Sequence, residues 1–409
     1  MDMRTWKQPL LLLAGVGISN LGAWVYFIAL NLIVLEMTQS AFAVSVLYIL
    51  VPLAALCANV WSGSVIDRTD TRRLMMWLDA LRAVVVFSLA FIDSLALIYV
   101  LVFLLNIASS VFESASLVYM TKLVPSSDRQ RFNALKNFVQ SAGFILGPAI
   151  AGLLFMIGTP TFAIQLNALA LLVSVGILSL LPKLFTASDE VEVFNLRMIL
   201  DDWKTVVRFA STMRYVTLVY GLFCVMTIFM SGLDSLEASF ATQVLNFSES
   251  RYGFLVSVAG AGIITGSIIN ATFSARLTLP FLISFGAILT PVGYLVFAFS
   301  ESFVLAAVGF FLLTFALSFA NTGFLSFYQN NVPTELMGRF SGVINVAESV
   351  LIIGLTFGIG LLAEYVGIRS TYVAFSLSFL LVGLVTVRIM LERSKRGMYE
   401  AVVVEENVS

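Results

Sequence analysis

The chain has 409 residues, 59% of them hydrophobic and only 11% charged, and its mean hydropathy is +0.98. Soluble domains carry about 25% charged residues, so this composition marks a membrane protein and excludes an ordinary globular enzyme. A net charge of −1 argues against a nucleic-acid partner, and the absence of histidine excludes His metal sites, His-based triads and His proton relays.

Residues 10–35 form the first apolar run, long enough to cross a bilayer and longer than the ~7–15 residues of a signal h-region. It is expected to remain as a first transmembrane helix. Five more candidate spans follow at about 43–66, 74–92, 95–119, 134–157 and 161–182. A polar break at 183–213 separates them from six others, at about 214–238, 252–272, 279–299, 302–328, 341–363 and 371–391. The expected fold is therefore all-α, with twelve transmembrane helices in two six-helix bundles, 1–182 and 214–391. A central loop (183–213) joins them and a tail (392–409) follows.

Twenty of the 23 Lys and Arg residues fall in one set of connections; only Arg251 and Arg369 fall in the other, and Arg82 lies inside the third span. By the positive-inside rule, both termini and the central loop are expected on the cytoplasmic side. Cys57 and Cys224 lie far apart in apolar runs and read as small core residues, so no disulfide, metal site or cofactor is expected. No G-x-x-x-x-G-K-S/T loop is present, which argues against direct ATP drive.

The two halves repeat at a displacement of about 208 residues. "VPSSDRQRF" (124–132) aligns with "VPTELMGRF" (332–340), Gly152 with Gly360, and Gln140 with Glu348. At a displacement of 203, "GSVIDRTDTRR" (63–73) aligns with "GSIINATFSAR" (266–276). Internal repeats around a central binding site are a signature of secondary transporters.

Gly63-Ser-Val-Ile-Asp67-Arg68-Thr-Asp70-Thr-Arg72-Arg73 resembles the G-x-x-x-D-R/K-x-G-x-R-R/K loop of the major facilitator superfamily, between helices two and three. Asp70 replaces the second Gly, a substitution associated with the drug-exporter branch that includes macrolide efflux proteins. Gly143, Gly147, Pro148 and Gly152 resemble the G-x-x-x-G-P-x-x-x-G motif that the family associates with antiporters, in helix five. The fourth helix departs from the drug-antiporter pattern, carrying Asn106 where a membrane Arg is expected.

The resemblance implies a multi-pass protein of a bacterial plasma membrane, monomeric, exchanging protons for a small-molecule substrate. Gly63, Asp67, Arg68, Arg72 and Arg73 are expected to form a cytoplasmic latch against the start of helix eleven, the simpler alternative being positive-inside anchoring. Asp79 and Arg82 are three residues apart in helix three and are expected to pair; they join the same cytoplasmic gate network with Glu348. Small-residue stripes at Gly262/Gly266 and Gly354/Gly358 are expected to serve helix pairs five–eight and two–eleven, or ordinary packing.

A carboxylate at a helix centre costs on the order of 2.5–3.5 kcal/mol on insertion scales, so it marks a cavity or a partner. Glu113, Asp234 and Glu237 are the candidates for proton coupling or cation binding. Cavity candidates are Asn20, Trp24, Tyr26 and Asn31 in the first helix, Phe223 and Met226 in the seventh, and Asn321 and Tyr328 in the tenth. The expected function is proton-coupled export of hydrophobic or amphipathic molecules by alternating access. The alternatives are export of one endogenous metabolite or siderophore, and uncoupled facilitation. A membrane enzyme lacks its clustered catalytic residues here.

Overall fold

The computed structural model describes residues 3–59, 61–62, 65–66, 69–125, 129–184, 196–273 and 276–392. Six helices make up the first half: α1 (Met3–Thr38), α2 (Ala41–Asn59), α3 (Thr71–Leu89), α4 (Leu95–Leu123), α5 (Arg129–Ile157) and α6 (Pro160–Ser179). A connecting helix, α7 (Leu196–Thr212), leads into α8 (Arg214–Ser235), α9 (Glu249–Thr272), α10 (Leu279–Ala298), α11 (Phe303–Asn331), α12 (Thr334–Val366) and α13 (Ile368–Met390). Among the described residues eleven helices are long and apolar enough to cross a membrane. The nineteen residues of α3 reach the same length, about 28 Å at 1.5 Å per residue, but carry Arg72, Arg73, Asp79 and Arg82. The fold is an all-α multi-pass membrane architecture.

Local chemistry sets the helix ends. Asp70 caps α3, accepting from the backbone N–H groups of Arg72 (3.1 Å) and Arg73 (3.4 Å). Thr159 caps α6 with Pro160 in the first turn, and Ser302 caps α11 through Leu305 N–H at 3.3 Å. The expected polar loop at 183–213 contains α7, whose Ile199, Trp203, Val206 and Ala210 recur at three- and four-residue spacing. Hydropathy windows of spanning length miss such a helix because half of it is polar. Val206 is buried, Phe209 packs edge-on against Phe340, and the Thr217 hydroxyl donates to the Ala210 carbonyl.

The chain divides into two compact units. The first comprises Met1–Phe194 together with Asp234–Ser257 and Thr356–Ile368. The second comprises Asn195–Leu233, Val258–Leu355 and Arg369–Ser409.

Within the first unit α1 packs on α5 and α6, α3 on α4 and α6, and α2 on α4. A buried cluster at one end gathers Trp6 and Leu12 of α1, Met75 of α3, Tyr119 and Met120 of α4, Phe132 of α5 and Leu178 of α6. The Tyr119 hydroxyl donates to the Pro182 carbonyl at 2.7 Å and ties α4 to the end of α6. In the second unit glycines bring α10 and α11 into backbone contact. A methyl on Gly293 would lie 2.5 Å from Leu313 N, and one on Gly309 2.7 Å from Phe297 N.

Helix five's motif acts through shape. A methyl on Gly143 would overlap Asn20, and one on Gly147 would overlap Trp24, so both glycines seat α1 on α5. Trp24 also meets Phe144 edge-on, with ring centres 4.7 Å apart. Gly152 instead meets α9, since a methyl on Gly253 would lie 2.7 Å from Gly152 Cα and 3.0 Å from the Pro148 carbonyl. On the same side of the repeat, a methyl on Gly360 of α12 would overlap Ser45 of α2.

These last two contacts are one contact made twice. Adding 208 to 152 gives 360, and subtracting 208 from 253 gives 45, so the repeat maps the α5–α9 crossing onto the α2–α12 crossing. Helix pairs five–eight and two–eleven, in the numbering of the expected spans, thus meet, but through other residues than expected. Gly262 and Gly266 pack on Thr314 and Ser318 of α11, and Gly354 and Gly358 face open space.

Candidate functional site

Three constellations of polar side chains stand out, each inside one unit. The first is structural. Asp79 and Arg82 pair at 2.8 Å in the core of the first unit, at 0% and 8% exposure. Ser174 of α6 donates to the other Asp79 oxygen at 2.7 Å, Ser19 of α1 lies 3.4 Å from Arg82 Nη1, and the guanidinium sits 5.3 Å from the Phe112 ring centre. This network ties α1, α3, α4 and α6 together in the core of the first unit. Of the proposed latch, Gly63, Asp67 and Arg68 lie outside the described residues. Arg72 donates to the Ser179 and Leu181 carbonyls, and Arg73 sits 3.7 Å from Asp70.

The second constellation lies where α8 breaks. After Ser235 the chain makes a short helical turn, Glu237–Ser239, and then a π-helical turn, Phe240–Val244, closed by Leu245 N–H donating to Phe240 O at 3.1 Å. Asp234 and Glu237 flank this break and interact with each other. Tyr48 of α2 lies within electrostatic reach of both, and beside it stands Asn31 of α1, 0% exposed and without a geometric hydrogen bond on its amide. All four residues belong to the first unit.

The third is a cavity of about 320 Å³ inside the second unit. Tyr220, Phe223, Met226, Thr227 and Met230 of α8 form one wall, Leu317, Ala320 and Asn321 of α11 another, and Asn345 and Glu348 of α12 a third. Glu348 reaches the side chains of Cys224 and Thr227. One end is closed by aromatic rings: Tyr220 lies 5.2 Å from Tyr328 and 5.3 Å from Phe340, centre to centre, and Phe223 lies 4.7 Å from Phe324. Tyr328 is fixed by its hydroxyl donating to Met337 O at 2.6 Å. The volume falls at the lower end of small-molecule pockets, and the lining has their usual composition: apolar and aromatic, with few polar groups.

The cavity candidates from the sequence therefore separate. Phe223, Met226 and Asn321 line the cavity and Tyr328 braces it, whereas Asn20 and Trp24 seat α5 and Tyr26 and Asn31 are buried in the first unit. Glu348, expected in a gate network with Arg72 and Asp79, lines the cavity. Glu113 is exposed, on a stripe of α4 with Asn106, Ser110 and Leu117, opposite Leu97 and Leu104. Cys224, Thr227, Asn345 and Tyr48 were not among the residues expected from sequence. Thr227 had a signal, interrupting the apolar stripe Tyr220–Phe223–Met230 of α8.

Comparison with known proteins decides the family. The model of the Major Facilitator Superfamily matches residues 12–355. The chain belongs to this superfamily. It is 26% identical over 94% of its length to the uncharacterized MFS-type transporter YfiS of Bacillus subtilis (strain 168), covering 93% of that protein. It is 22% identical to BacE of the same organism, a candidate bacilysin exporter, with 78% of each chain covered. The nucleoside transporter NupG shares the fold at a TM-score of 0.74 and 12% identity, over 94% of this chain and 99% of that one. This major facilitator protein is thus a membrane transporter.

Proposed function

We propose that the protein is a proton-coupled exporter of hydrophobic or amphipathic small molecules, working by alternating access. The observation that carries this reading is the cavity in the second unit: aromatic and methionine walls with one carboxylate, Glu348, and three amide or hydroxyl groups, Asn321, Asn345 and Thr227. Soft, polarisable walls accept varied apolar shapes, and a single acid in a low-dielectric wall selects for a positive charge or a hydrogen-bond donor.

The Asp234–Glu237 pair and Glu113 are the proposed proton carriers. Three residues apart on adjoining turns, the Asp234 and Glu237 carboxylates are proposed to share one exchangeable proton. Without histidine in the chain, carboxylates are the groups available for this exchange. The charge bias of the connections supports cytoplasmic termini, as expected from the sequence. The motif Gly143–Gly152 supports the antiporter reading through its resemblance, and BacE's name supports export.

Everted membrane vesicles test the reading. Energised vesicles containing the protein are expected to accumulate ethidium, and a protonophore is expected to abolish the accumulation. Accumulation of no lipophilic cation by well-energised vesicles would instead favour export of one endogenous metabolite, the reading that BacE's name also supports.

A further inference from the structure

A second hollow, of about 430 Å³, lies between α3 and α6 in the first unit, apart from every constellation above. Arg72, Arg73, Met76, Trp77, Ala80 and Val175 line it. Arg73, Met76, Trp77 and Ala80 recur at three- and four-residue intervals and so share one face of α3, while Val175 of α6 makes the facing wall.

Its two ends differ in chemistry. At the first turn of α3, Arg72 is held by the Ser179 and Leu181 carbonyls through Nη1, which leaves its Nε buried and without a partner. The Arg73 side chain is 64% exposed, and its Nε stands 3.7 Å from Asp70, too long for a hydrogen bond. Asp70 cancels one of the two positive charges, so the mouth keeps an excess of one. About 6 Å further along the helix the lining turns apolar, and Trp77 is 75% exposed. A helix end with guanidinium groups, followed one turn deeper by an exposed indole on an apolar floor, has the polarity profile of a lipid headgroup passing into its acyl chain.

We propose that this groove binds one anionic glycerophospholipid. The phosphate lies against the exposed guanidinium of Arg73, with Arg72 lining the hollow beside it. The glycerol and first methylenes run over Met76, Trp77, Ala80 and Val175. A soluble phosphate ester would leave that floor wet, which is why the occupant is a lipid. The second half does not repeat the site: at the displacement of 203, Arg276 stands for Arg73, but Ala275 stands for Arg72 and Pro280 for Trp77.

Native mass spectrometry of the full-length protein in detergent, titrated with phosphatidylglycerol or phosphatidylcholine, tests this. Wild type is expected to retain one phosphatidylglycerol with about tenfold preference over phosphatidylcholine, falling to about twofold or less in Arg73→Gln and in Arg72→Gln/Arg73→Gln. Because Arg72 also ties α3 to α6, the exposed-site variants Arg73→Gln and Trp77→Leu decide the matter if the double variant unfolds. Dibrominated phosphatidylglycerol is expected to quench the Trp77 component of fluorescence, obtained by subtracting Trp77→Phe, more than the phosphatidylcholine analogue does. Unchanged preference in both Arg73→Gln and Trp77→Leu would overturn the proposal. So would an equal loss in Arg276→Gln, which would reveal diffuse attraction, or equal competition by glycerol 3-phosphate, which would reveal a soluble ligand.

Discussion

Asp79 and Arg82 show how a membrane helix tolerates two buried charges. Each group is desolvated, and each is compensated by a partner three residues away and by hydroxyls from α1 and α6. Removing one partner strands the other. Asp79→Asn is expected to destabilise the protein by about 3–5 kcal/mol, read as a lowered thermal midpoint in detergent, whereas Asp79→Leu/Arg82→Met is expected to recover much of the loss. Glu348 is the opposite case. It is half-buried and opens on a cavity. The sequence showed these acids equally plainly, and both were expected in one cytoplasmic gate network. Only the packing of α8, α11 and α12 separates a paired acid from a poised one.

At the scale of elements, glycines decide which helices can touch. The Gly152–Gly253 crossing and its repeat mate at Gly360 and Ser45 join α5 to α9 and α2 to α12 inside the first unit. A methyl on Gly253 meets backbone atoms, which cannot rotate away. Gly253→Ala is therefore expected to cost about 1–3 kcal/mol in thermal stability and to slow transport severely. Gly354→Ala and Gly358→Ala, which point into open space, are expected to change neither. Equal losses at Gly354 and Gly253 would refute this account of the stripes. The all-α multi-pass layout was legible from the sequence because a span needs about 20 apolar residues whatever it touches, and eleven such helices stand among the described residues against twelve expected. Helix faces were not, because lipid and core are both apolar and the 3.6-residue periodicity fades. That is why Asn20 and Trp24 were read as cavity residues although they pack on α5. The linker helix α7 escaped for the converse reason, being amphipathic in a stretch judged only by its polarity.

Across the whole molecule, the two halves repeat one glycine crossing but differ in chemistry. The first unit holds the acid pair at the break in α8, contributed by the second half of the sequence, against Asn31 and Tyr48 of the first. The second unit holds the cargo-sized cavity with Glu348. Placing the proposed proton site and the proposed cargo site apart predicts that they can be uncoupled by mutation. Purified protein in liposomes with an imposed pH gradient tests this most directly, with ethidium as cargo and a trapped pH dye reporting protons. Wild type is expected to move ethidium against the proton flow. Asp234→Asn/Glu237→Gln is expected to exchange ethidium without moving protons, and Glu348→Gln to lose both by about tenfold or more. Gradient-insensitive ethidium movement by wild type, or normal coupling in the Asp234→Asn/Glu237→Gln protein, would contradict it.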